Sequence, residues 1–194
     1  VGGVDPAKAW IEAAFAAKKQ VVTANKELMA KHGHALVQIA QDNKLDFYAE
    51  GSVAGGIPII AAMGESLAAN RIQAVMGIVN GTTNFILSKM ADEGASFDDV
   101  LREAQALGYA EADPTADVDA HDARYKIAIL ASIGFGTPVD ESSVISEGIR
   151  TITARDIAVA KDLDHVIKLV AVAEQWEDQG TMHVRVHPAL LHKD

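Results

Sequence analysis

Cysteine is absent from the 194 residues, which excludes disulfides, thiolate metal sites and cysteine nucleophiles and fits a cytoplasmic protein. Long apolar runs are missing too, and none approaches the roughly 18–20 residues of a membrane span. No signal-peptide pattern opens the sequence. Cations are scarce, with 17 Lys and Arg against 27 Asp and Glu and a net charge of −10. Gripping a phosphate backbone requires clustered Lys and Arg, so nucleic-acid binding is disfavoured. The 7 histidines match no metal-ligand spacing: His32 and His34 share one expected helix, His183 and His187 an expected strand. No GxGxxG occurs, so no dinucleotide cradle can be read from these residues. Internal repeats and low-complexity linkers are also lacking.

What is present reads as globular. Hydrophobic residues make up 49% against 23% charged, enough for a sizeable core in one domain or one and a half. A helix is expected over residues 5–18, with Asp5 as N-cap and Pro6 in the first helical position. Gln20-Val21-Val22-Thr23 reads as a short strand. Asn25 then caps a helix over about 26–43 whose apolar positions include Leu28, Val37 and Ile39. Leu45 to Glu50 reads as a second strand. This alternation is that of a parallel, doubly wound sheet. Val1-Gly2-Gly3 looks like the exit from a strand, so the chain is expected to start within the fold.

After the glycine-rich turn of residues 51–56, Pro58 starts a helix to about residue 69. Beyond residue 70 the rhythm changes. Ile72 to Val79 is a strand, followed by helices near 82–94, 96–107, 119–134 and 154–162. Val166 to Ala173 and Met182 to Val186 are expected to pair. The fold class is therefore α/β: the tail of a doubly wound nucleotide-binding fold, to about residue 49, joined to an α+β domain with a mixed sheet.

The most informative stretch runs from Gly108 to Lys126. It places five carboxylates (Glu111, Asp113, Asp117, Asp119, Asp122) in 12 residues and ends on a lysine that opens the apolar run Ile127-Ala128-Ile129-Leu130. Asp122 and Lys126, four apart, share one helical face; they form either a surface ion pair of little value or a partly buried lysine tuned for acid–base work. Glu111, Asp117 and Asp119 either solvate a loop or bind an ammonium group, and Asp113-Pro114 is a turn initiator.

Lys26 begins a helix, where a cation is unfavourable for the helix dipole and where ligands of open α/β sheets gather. Glu50 to Ile57 is an ordinary tight turn or a set of carbonyls for a hard cation. Asn80-Gly81-Thr82-Thr83-Asn84 presents backbone N–H groups to a carboxylate, or simply caps a helix through Thr82 or Thr83.

Taken together, Val21 to Lys26, Glu50 to Ile60, Gly77 to Asn84 and the acidic run ending at Lys126 resemble the homoserine dehydrogenase family over nearly the whole chain. One departure is Ala120, where the family has glycine before the last Asp; its methyl group is expected to shift the loop slightly. The resemblance implies NAD(P)-dependent interconversion of L-homoserine and L-aspartate 4-semialdehyde, in threonine and methionine biosynthesis. It implies that Glu111 and Asp117 bind the substrate ammonium, with Gly81, Thr82 and Tyr109 lining the pocket. Lys26 and Lys126 would lie near the reacting oxygen, with Asp122 orienting Lys126, and Asn25 and Lys26 would touch the cofactor. The carbonyls of Glu50, Val53, Gly55 and Ile57 would match a sodium site.

On this reading residues 1–49 close a nucleotide-binding domain, and residues 50–194 form the substrate-binding, catalytic and dimerisation domain of a homodimer. The family's glycine-rich loop would precede Gly2-Gly3, so these residues alone are not expected to bind the nicotinamide productively or to turn over. Two rivals remain: the substrate domain of a related amino-acid dehydrogenase, and a non-catalytic oligomerisation module.

Overall fold

Pro6 marks the first turn of helix α1 (Asp5–Ala16), where its missing N–H deprives the helix of nothing. In this computed structural model, which describes residues 3–176 and 180–193, Val4 occupies the capping position. Asp5 thus lies inside the first turn rather than before it, and its charge still favours the helix N-terminus. Val1 and Gly2, expected at the end of a strand, lie outside the described residues.

Strand β1 (Val21–Val22) leads into helix α2 (Lys26–Asp42), which returns to β2 (Phe47–Tyr48), paired in parallel with β1. The strands are shorter than the sequence runs because only these residues form a ladder. Asn25 caps α2 as expected, its Oδ1 accepting the Leu28 N–H at 3.0 Å. Leu28, Leu36 and Ala40 face Ala7, Ile11 and Phe15 of α1, making a small core of their own. Val37, one of the apolar positions of this helix, is 37% exposed; it sits about 100° round the helix from Leu36.

After β2 the backbone makes a tight helical turn at Glu50–Ser52, then a short helix α3 (Ile59–Ala61) that runs into a wide π-type turn at Ala62–Ser66. The helix expected from Pro58 to about residue 69 is therefore shorter and irregular. Its N-terminus is capped from a distance: the Glu50 carboxylate accepts the N–H groups of Ile60 and Ala61 at 2.9 and 2.8 Å.

The remainder forms a second unit. Strand β3 (Ala74–Gly77) is followed by helices α4 (Gly81–Glu93), α5 (Phe97–Ala106), α6 (Thr115–Val118) and α7 (His121–Phe135). Then come β4 (Ile145–Ser146), α8 (Ala154–Asp162) and two long strands, β5 (His165–Trp176) and β6 (Thr181–His192). β5 and β6 pair as expected; the pairing is antiparallel and longer than the apolar runs suggested. In the sheet order β3-β5-β6-β4, the β4–β6 pair is parallel and the other two are antiparallel, so the sheet is mixed. Ile86, Leu87, Met90, Val100, Ile127 and Ile149 fill the core beside Leu169, Ala171 and Ala173 of β5.

Helix α7 is central. Ile127, Ala128 and Ala131 join that core, whereas Ile129 and Leu130 pack with Val53 and Met63 in a separate cluster. A helix covered on both sides places its first turns inside the molecule, and α2 packs along it. That arrangement positions the site.

Candidate active site

Three junctions meet here: the start of α2, the strand-to-helix turn into α4, and the turn joining α6 to α7. Lys26 is the first residue of α2, and its Nζ lies 2.6 Å from Asp122 Oδ1. One turn further along α7 from Asp122, Lys126 Nζ lies 2.7 Å from Asp122 Oδ2 and donates to the Val79 carbonyl at 2.8 Å. A single carboxylate thus holds two ammonium groups. Asn80 adds a third donor: its Nδ2 reaches Asp122 Oδ2 at 3.0 Å and Asp117 Oδ1 at 2.6 Å.

Asp122 is 6% exposed. Burial alone would push its carboxyl up; the bonds from Lys126, Lys26 and Asn80 outweigh that and hold it below the ordinary carboxylate range. The group is therefore anionic and anchors both lysines.

The turn before α7 is tightly determined. Ala120 is fully buried and left-handed, with φ +66° and ψ 14°. The glycine seen at this position in the resemblance has a physical reason, since a residue without Cβ enters that region freely. The methyl group is accommodated with the turn in left-handed geometry. Gly148 packs against the same turn so closely that a Cβ there would lie 2.2 Å from the Val118 carbonyl oxygen. Asp119 points to Arg150, whose Nε lies 2.5 Å from its Oδ1, and Asp113 closes a turn onto the Thr115 N–H at 3.1 Å.

These residues surround a cavity of about 530 Å³ lined by Lys26, Asn80, Gly81, Thr82, Phe85, Gly108, Tyr109, Asp117, Asp122 and Lys126. Of the residues expected in the site, Lys26, Gly81, Thr82, Tyr109, Asp117, Asp122 and Lys126 come together here. Thr82 ties the wall by donating to the Tyr109 carbonyl at 2.7 Å. Among the described residues, Asp117 pairs with no cation, although it lines the cavity.

Glu111 is exposed and outside this lining; its carbonyl accepts from Gln105 Nε2 at 3.1 Å. Asn25 also stands apart. Its amide is engaged at both ends, capping α2 and donating to the Gly3 carbonyl at 2.9 Å. Asn80 is not among the expected site residues: its run reads as backbone N–H groups for a carboxylate or as a cap through Thr82 or Thr83, and neither reading uses the Asn80 side chain. Asn80 itself is the cap, accepting the Thr83 N–H at 2.8 Å.

In the expected cation turn, Ala54 and Gly55 are consecutive left-handed residues, and the carbonyls of Glu50 and Ile57 accept from Val53 and Ile59. Val53 is buried, and Gly55 and Ile57 are exposed. The described residues hold no cluster of His and carboxylate side chains suited to a metal, so an ion in this turn would rest on backbone oxygens. A second hollow, about 590 Å³, lies between residues 63–72 and the end of α7; Arg71 is its one charged lining side chain among the described residues.

Two lysines on one buried carboxylate, beside a second acid without a cation partner among the described residues, give this cavity the groups that acid–base enzymes use. The homoserine dehydrogenase family model matches residues 58–194. A homoserine dehydrogenase of Synechocystis sp. is 52% identical over 100% of the chain and 45% of that protein. One of Corynebacterium glutamicum is 50% identical over 98% of the chain and 44% of that protein. The crystal structure of a homoserine dehydrogenase from Thiobacillus denitrificans superposes with a TM-score of 0.94 at 49% identity, covering 98% of this chain and 44% of that one. A hyperthermophilic archaeal homoserine dehydrogenase in complex with NADPH gives 0.82 at 32% identity, over 100% of this chain and 55% of that one. The chain belongs to the homoserine dehydrogenase family, and it spans about 45% of the length of such curated relatives.

Proposed function

We propose that this chain supplies the substrate-binding and catalytic part of an NAD(P)-dependent homoserine dehydrogenase. It would interconvert L-homoserine and L-aspartate 4-semialdehyde in a cytoplasmic homodimer serving threonine and methionine biosynthesis. Residues 1–49 would complete a nucleotide-binding domain, and residues 50–194 would carry substrate binding, catalysis and dimerisation. The observation that carries this reading is the convergence of Lys26, Lys126 and Asp122 on one cavity with Asp117, which has no cation partner among the described residues.

In that cavity Asp117 offers a carboxylate to the substrate ammonium, with Gly81, Thr82 and Tyr109 on the surrounding wall. Glu111, on the same acidic segment but exposed, would join Asp117 only when ligand draws it in. A bound nicotinamide would supply the hydride acceptor that oxidation of the carbinol carbon requires. The hydroxyl proton would pass to one of the two lysines in its neutral amine form, and Asp122, which pairs with both Lys26 and Lys126, would hold them facing that oxygen. Lys26, partly exposed at the first turn of α2, would meet a cofactor phosphate or ribose, with Asn25 holding the turn beneath it.

A sodium ion on the carbonyls of Glu50, Val53, Gly55 and Ile57 belongs to the same proposal. Supporting it, the buried Ser52 hydroxyl in this turn has no protein partner among the described residues. The deciding experiment is a steady-state assay of the whole protein with L-homoserine and NAD⁺ or NADP⁺. Turnover with homoserine is expected; turnover only with a different hydroxy amino acid would move the protein to a related dehydrogenase.

A further inference from the structure

Asn80 is 5% exposed and every hydrogen-bonding position of its amide is filled. The oxygen accepts the Thr83 N–H at 2.8 Å and the Thr83 hydroxyl at 2.9 Å. The nitrogen gives one hydrogen to Asp117 Oδ1 at 2.6 Å and one to Asp122 Oδ2 at 3.0 Å. The amide cannot flip, because that would set its oxygen against two carboxylates and its NH₂ against an N–H donor. We infer that Asn80 is the positioning residue of the site: by donating to both acids it holds Asp117 and Asp122 side by side on one wall. It thereby sets the distance between an ammonium bound at Asp117 and the lysines anchored on Asp122.

Both acids carry like charge within reach of one amide group and would otherwise separate. The charged groups facing them are Lys26 from α2 and Lys126 from α7, and both of these pair with Asp122. Asp117 has Asn80 alone among the described residues, so its orientation depends on this one side chain. The residue type matters. Aspartate would keep the helix cap but turn a third negative charge toward the acids. Serine would keep the cap with a single donor.

This inference rests on the homoserine reading above. Its test is the Asn80→Asp variant of the whole protein, with Asn80→Ser as companion. Asn80→Ser keeps the cap without adding charge, so its melting temperature is expected to stay within a few degrees of wild type, with a larger fall in Asn80→Asp from the added buried charge. KM for homoserine is expected to rise about 10- to 100-fold, the effect of losing a hydrogen bond to a charged group, with a smaller fall in kcat. The acid limb of the kcat/KM profile should move to higher pH in Asn80→Asp, and less in Asn80→Ser, as Asp122 loses a donor.

Folded variants with unchanged KM and an unmoved acid limb would overturn the inference. So would losses of kcat that merely follow melting temperature in both variants, since these belong to a cap alone. Should wild type fail to oxidise homoserine, the functional reading falls. The carboxyl titration of Asp122, followed by ¹³C NMR in wild type and Asn80→Asp, then still decides Asn80: a raised value supports it and an equal value overturns it.

Discussion

Lys26 and Asp122 are 96 residues apart in sequence and meet at 2.6 Å. The contact joins the first turn of α2, in the small parallel unit, to the first turn of α7, at the centre of the larger one. The Lys26 side chain is 42% exposed and that of Asp122 7%. A pair half open to water contributes little to stability, so its value lies in where it holds the ammonium. Lys26→Ala is therefore expected to leave the melting temperature nearly unchanged while lowering kcat/KM about 10- to 100-fold. Parallel thermal melts and initial rates check this; equal losses in both would refute it.

Lys126 is held by Asp122 and by the Val79 carbonyl. Replacing it with alanine removes the better-buried ammonium from the cavity. Turnover of the whole protein is expected to fall by about 10²-fold or more, with circular dichroism unchanged. Intact turnover would instead favour a non-catalytic oligomerisation module.

The Asp122 carboxyl is held below its ordinary value of 3.8. A group with a depressed folded pKa stabilises the protein above its unfolded pKa. That contribution disappears as pH falls through the folded value. Urea unfolding of wild type and Asp122→Asn should therefore differ most above about pH 4 and converge in stronger acid. A gap that widens on acidification would contradict the assignment.

The turn into α7 makes two steric predictions. At Ala120, glycine would relieve about 1 kcal/mol of left-handed strain but lose a buried methyl worth about 0.8 kcal/mol. Ala120→Gly is thus expected to be nearly neutral. Ala120→Val puts a branched Cβ at φ +66° in a fully buried site, and should destabilise by about 2 kcal/mol or more. At Gly148 a Cβ would meet backbone at 2.2 Å, so Gly148→Ala should both destabilise and weaken homoserine binding. Chemical denaturation and isothermal titration measure these outcomes.

Much of the fold was legible locally. Asn25 before an amphipathic run announced α2, and the glycine-rich run announced a turn, whereas the helix expected from Pro58 proved short and irregular. Strand lengths were not legible, because a ladder ends where its partner does: Phe47 and Tyr48 are paired, whereas Leu45 and Asp46 are not part of the strand. Asn80 was hidden for a similar reason. Its capping role is local, but both carboxylates it bridges come from segments 37 and 42 residues away.

The acidic run shows where the division falls. Composition and spacing alone established a dense group of acids with Lys126 one helical turn after Asp122, because an i,i+4 relation follows from the helix repeat. Only the tertiary fold selected among those acids. Asp117 and Asp122 face the cavity, Asp119 turns to Arg150, Asp113 closes its own turn, and Glu111 remains exposed. Side-chain direction in a loop depends on partners brought in from distant segments, and local spacing contains no record of them.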